Sequence, residues 1–113
     1  MSKPLDVSED LRTNTRVISL RGELDLHSVD ELRVPLERAA AEPGLRLILD
    51  LTACSFIDST GLATIVHVTR PLRDDGGGVA LVCPAGDVRQ LLKLSALDLS
   101  FPIYDRLDQA VEA

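Results

Sequence analysis

Apolar residues recur along this chain in two rhythms. From Arg16 to Leu24 the spacing is two: Ile18, Leu20, Gly22 and Leu24 fall on one side, which predicts a strand. Leu45, Leu47, Leu49 and Leu51 form a second, wholly apolar face and predict another strand. Val79 to Cys83 is a short continuous apolar run, as expected of a strand covered on both faces. Phe101 to Tyr104 predicts a last short strand, and Leu5 to Ser8 a short edge strand followed by a polar turn through Glu9, Asp10, Arg12, Thr13 and Asn14. Between these runs the period becomes helical. Val29, Leu32, Leu36, Ala39 and Ala40 make one stripe, and Leu62, Ile65, Val66, Thr69 and Leu72 a second. Val88, Leu91, Leu92 and Leu94 make a third, and Arg106 to Glu112 a C-terminal helix.

The boundaries carry their own signals. Ser28 with Glu31 reads as a capping box opening the first helix, which Pro43-Gly44 closes. Pro35 lies past the first turn of that helix and is expected to kink or weaken it. Pro71 is expected to bend or end the second helix near Arg70. Asp74 to Gly78 reads as a flexible turn. The order is ββαβαβαβα: one α/β domain over residues 1–113, a mixed sheet of about five strands packed by about four helices.

Composition narrows the function. Aromatic residues are 3% of the 113 and Trp is absent, which disfavours stacking of bases or sugars. A net charge of −6 disfavours nucleic acid and anionic lipid as partners. No run of about 18 apolar residues suggests a membrane span, and the first residues lack the apolar stretch of a signal peptide, so a cytoplasmic protein is expected. Cys54 and Cys83 lie among apolar residues and read as two buried thiols, neither a disulfide nor a metal site; no cofactor is expected.

The densest chemistry is in Phe56-Ile57-Asp58-Ser59-Thr60-Gly61-Leu62-Ala63, where a strand gives way to a helix. Ser59 and Thr60 stand at the helix N-terminus, where a hydroxyl can cap and an added anion is favoured. Two hydroxyls in succession exceed what one cap requires. Gly61 lowers helix propensity by roughly 1 kcal/mol relative to Ala but permits close backbone approach. A nucleophilic serine would need a histidine: His67 is two turns along the same helix, and only His27 could come near. Gly76 to Gly78 precedes a strand instead of opening a helix, so it is no phosphate loop. Asp25 ends a strand on the same rim as Asp58; it either satisfies turn N–H groups or shares a binding surface with Ser59.

Gly22-Glu23-Leu24-Asp25, Leu49-Asp50-Leu51 and Asp58-Ser59-Thr60-Gly61-Leu62, at this spacing, resemble the STAS domain, over about Leu5 to Ala110. The resemblance is greatest to stand-alone bacterial anti-sigma factor antagonists. It implies a protein ligand and kinase substrate rather than an enzyme. The serine matching Ser59 would be phosphorylated by a GHKL-type serine kinase that is itself the anti-sigma factor, Thr60 being a second candidate. The unphosphorylated form would bind that partner and release a sigma factor; a serine phosphatase would reset the switch. The implied partner surface comprises Asp25, Asp58, Ser59, Thr60, Gly61 and Leu62, on a monomer or weak dimer. Two other readings stand beside it: a STAS subunit of a transport or stress-signalling complex that is never phosphorylated, and a small serine hydrolase. Ala63 stands where the family often has a second glycine.

Overall fold

The computed structural model describes residues 5–74, 78–97 and 100–113. The elements run β1 (Asp6–Arg12), β2 (Thr15–Leu24), α1 (Val29–Ala40), β3 (Arg46–Ile57), α2 (Ser59–Val68), α3 (Arg70–Asp74), β4 (Val79–Val82), α4 (Asp87–Leu94), β5 (Ile103–Tyr104) and α5 (Leu107–Glu112). The five strands form one sheet in the order of the sequence. β1 pairs antiparallel with β2, and the remaining neighbours are parallel.

Right-handed crossovers stepping one way along a sheet place their helices on one face. The core agrees. Leu20 and Leu24 of β2, Leu47, Leu49 and Leu51 of β3 and Leu81 of β4 pack with Leu32, Leu36, Ile65, Leu72 and Leu92 from the crossover helices. The opposite face carries a smaller cluster, Val17, Ile48 and Val82, covered by Ala110 of α5. β4 is buried at all of its residues, as a strand between two covered faces should be.

Several expectations need correction. β1 reaches Arg12, so Glu9 and Asp10 belong to the strand, and Thr13-Asn14 alone makes the turn, with Asn14 at φ +58. Pairing with β2 satisfies the inward side of the β1 backbone, and an edge strand tolerates charged side chains on its wet face. β3 continues well past the apolar run, to Ile57. From Ser19↔Asp50 the register passes to Arg21↔Ala53, and from Gly22↔Cys54 to Glu23↔Phe56, so β3 twice carries an extra residue. Burial then falls at Leu51, Cys54 and Ile57, a spacing of three that hides the strand from a period-2 reading.

Ser28 precedes α1, but its side chain caps nothing there. Its hydroxyl instead donates to Glu23 O (2.7 Å) and accepts the Asp25 N–H (3.0 Å). The second helical stripe is interrupted near Arg70, as Pro71 leads one to expect: α2 ends at Val68, Thr69 closes it, and Pro71 sits in the first turn of a separate α3, where its missing N–H costs nothing. α1 continues through Pro35 to Ala40; the buried ring offsets the lost hydrogen bond by packing. Asp75, Gly76 and Gly77 of the flexible turn lie outside the described residues.

Candidate functional site at the start of α2

The extended end of β3 delivers Asp58 to the rim of the sheet, and this one acid anchors the first turn of α2. Asp58 is the N-cap of that helix. Its Oδ1 accepts the Gly61 N–H at 2.9 Å, and its Oδ2 accepts the Leu26 N–H at 3.0 Å. Its own N–H donates to Leu24 O at 3.1 Å. One carboxylate thus joins the first turn of α2 to the loop after β2.

The loop is closed from the other side by Asp25. Its Oδ1 accepts the N–H groups of His27 (2.9 Å) and Ser28 (3.1 Å) and faces the Ser28 hydroxyl at 3.2 Å. Both acids therefore shape the rim through internal hydrogen bonds.

Gly61 is buried against this loop. A Cβ there would lie 2.8 Å from Leu24 Cγ and 3.2 Å from Leu24 O. Only glycine lets α2 approach the end of β2 so closely. Leu62 is half-buried on the core. Thr60 is half-buried, and its carbonyl accepts the Thr64 hydroxyl at 2.9 Å. Arg33 of α1 reaches Thr64 Oγ1 at 3.4 Å, tying α1 to α2.

Ser59 differs from its neighbours. It is exposed, at the first position of α2, and its hydroxyl makes no hydrogen bond among the described residues. Asp58 caps the helix, so capping does not account for this serine. Neither histidine hydrogen-bonds to it among the described residues; His27 and His67 are both exposed. The Ser–His contact that a hydrolase requires is therefore not formed here.

The six residues singled out in sequence thus gather at one end of the sheet, but in different physical roles. Two exposed apolar side chains stand by these residues: Leu26, which the sequence reading passed over, is 66% exposed and held beside Asp58 by its own N–H, and Phe56, the first residue of the motif stretch, is 46% exposed near the end of β3. The signal for Leu26 was weak: a leucine between Asp25 and His27 in a turn.

Cys54 lies beneath the rim, its thiol donating to Phe56 O at 3.4 Å, and Cys83 is also buried. Both are free, and burial pushes both thiols above their ordinary range. No described helix is long and apolar enough to cross a membrane.

Similarity to known proteins agrees with this geometry. An anti-sigma F factor antagonist of Paenibacillus polymyxa is 29% identical over 102 residues, 89% of this chain and 87% of the relative. The crystal structure of an anti-sigma factor antagonist from Mycobacterium paratuberculosis superposes with a TM-score of 0.87 at 27% identity, covering 99% of this chain and 97% of the other. The Bacillus cell fate determinant SpoIIAA in its phosphorylated form superposes with a TM-score of 0.72 at 26% identity, covering 95% and 97% of the two chains. The STAS domain family model matches residues 7–110, and the chain belongs to that family.

Proposed function

We propose that this protein is an anti-sigma factor antagonist whose partner binding is switched by phosphorylation of Ser59. The observation that carries the reading is the free, exposed hydroxyl of Ser59 on a helix start already capped by Asp58. Relatives named anti-sigma factor antagonists support the same reading, as does the existence of a phosphorylated form of one of them.

The physics suits a switch. A phosphate adds about −1.5 to −2 charge. At the N-terminus of α2 the helix dipole and first-turn N–H groups favour that charge, so the fold survives it. The same charge, on the rim that carries Leu26 and Phe56, opposes burial of these exposed apolar side chains against a partner. Burying a leucine or phenylalanine contributes about 1.5–3 kcal/mol, and an anion that must be dehydrated cancels it. The unphosphorylated form then binds an anti-sigma factor, a GHKL-type serine kinase, and frees its sigma factor; a serine phosphatase restores the binding form. Thr60, half-buried, is the lesser acceptor.

The test captures partners from source-cell lysate with Ser59→Ala and Ser59→Asp baits, then incubates the captured kinase with ATP and wild-type protein. Retention of an ATP-binding anti-sigma factor by the alanine bait alone, with phosphate mapped to Ser59, is the expected result. Equal capture by both baits, or phosphate elsewhere, overturns the proposal and favours a scaffold role.

A further inference from the structure

The two edges of the sheet are built differently. β5 is two residues long, too short to offer a ladder to another chain. β1 has seven residues, and its pairing with β2 runs from Asp6↔Arg21 to Arg12↔Thr15 without a register shift. The strand holds no proline and no bulge, and β2 is its one strand neighbour among the described residues. Its outward N–H and C=O groups therefore form an unbroken row along the side of the molecule. Charge is the remaining device that keeps such an edge apart, and in β1 the charges follow an order that favours one partner.

Alternation divides β1 into two sets. Val7 packs on the main core, so Val7, Glu9 and Leu11 lie on the helix-bearing face and Asp6, Ser8, Asp10 and Arg12 on the other. When two copies of one strand pair antiparallel about a two-fold axis, residues of the same face stand opposite, and one residue meets its own copy. With Glu9 at the axis, Asp6 meets the partner's Arg12, Val7 meets the partner's Leu11 and Ser8 meets the partner's Asp10, each contact occurring twice. Acid then faces base at both ends of the ladder, and Leu11, 66% exposed, gains apolar cover. Glu9 faces the partner's Glu9, but each carboxylate has its own Arg38 at 3.0 Å and Arg16 at 3.9 Å. The neighbouring registers are poorer. An axis at Ser8 sets Asp6 against the partner's Asp10 and Val7 against the partner's Glu9; an axis at Asp10 sets Asp10 against the partner's Asp10 and Glu9 against the partner's Leu11.

We infer that β1 is a self-association surface, at which a second copy of this chain pairs antiparallel about Glu9 and joins two five-stranded sheets into one. The two-fold axis reverses strand direction, so the two Ser59 rims point to opposite ends of the joined sheet. The contact does not use Ser59 and is independent of the switch reading. A single ladder of seven residues a side is a small interface, so the dimer is weak, with dissociation between the micromolar and millimolar ranges.

The test measures sedimentation equilibrium of the whole chain from micromolar to millimolar concentration and follows ¹⁵N amide shifts on dilution. Wild type should pass from monomer to dimer, with shifts concentrated at residues 6–12. Asp6→Arg alone and Arg12→Asp alone each set like charges opposite at both ends of the ladder. Each should weaken self-association by about tenfold or more, as two cross-strand pairs turn from attractive to repulsive. Mixed in equal amounts, the two variants meet acid to base at both ends, and wild-type affinity should return. Both positions are exposed, and a native amide spectrum of each variant separates loss of pairing from loss of fold. A wild type that stays monomeric throughout overturns the inference and leaves the edge to an extended segment of another protein. A dimer that neither variant weakens, or a mixture as weak as its parts, overturns it as well.

Discussion

Removing the Asp58 side chain gives a direct test of how the rim is built. Asp58→Ala deletes the cap on Gly61 and the acceptor for the Leu26 N–H together. Loss of an N-cap costs about 1 kcal/mol, and the second hydrogen bond, open to water, about 0.5–1.5 kcal/mol. The sum is about 2 kcal/mol. With an unfolding entropy of about 2.1 cal/mol/K per residue, the 113-residue chain should lose about 8 °C in Tm. Asp58→Asn separates the two bonds. Asparagine caps nearly as well as aspartate, so its oxygen retains Gly61, but its amide presents a donor to the Leu26 N–H. Calorimetry should place this variant between wild type and Asp58→Ala, and hydrogen exchange should quicken at Leu26 while Gly61 stays protected. A Tm for Asp58→Ala within about 2 °C of wild type, or unchanged exchange at both amides, would refute the argument that one carboxylate holds this rim.

Other substitutions probe the neighbours. Ser59→Ala should leave Tm within about 2 °C of wild type, because an exposed side chain without hydrogen bonds contributes less than about 0.5 kcal/mol; a larger fall would show Ser59 to be structural. Gly61→Val should destabilise by about 1–3 kcal/mol in denaturant titration, since its Cβ meets Leu24 at 2.8 Å and the loop must move; an unchanged midpoint would mean the contact yields freely. The raised thiols of Cys54 and Cys83 bind protons more tightly folded than unfolded. Their contribution is complete below the unfolded thiol range, near about pH 8.5, and falls as pH rises above it. Tm measured from pH 7 to pH 10 should therefore drop more steeply for wild type than for the Cys54→Ala/Cys83→Ala double variant. Parallel slopes would rule out thiol linkage.

The elements that the sequence specified are those whose apolar spacing survives folding unchanged. Leu47, Leu49 and Leu51 alternate because β3 is regular there, and the stripes of α1 and α2 meet the sheet as their periods require; in α4, Val88, Leu91 and Leu92 do so, but Leu94, expected on that stripe, is 75% exposed. The hydroxyl pair of Ser59 and Thr60 was legible for a similar reason: helix N-termini use a small set of residue types in a fixed order. The features that escaped depend on contacts between distant segments. Whether Ser28 or Asp58 caps a helix is decided by which acceptor or donor each finds across the rim, and those partners are fixed only when β2 and β3 are in register. The two bulges of β3 shift its burial period from two to three. They carry the strand on to Asp58, so that Ser59 starts α2 at the rim beside the β2 loop. The charged residues of β1 became strand because β2 offered them a hydrogen-bonded neighbour, a gain that local propensity does not register. Local sequence determined the elements and the chemistry at the start of α2. Tertiary structure decided which acid holds the rim, which apolar side chains stay exposed beside it, and that the Ser59 hydroxyl is left free, because each of these rests on pairing between residues far apart in the chain.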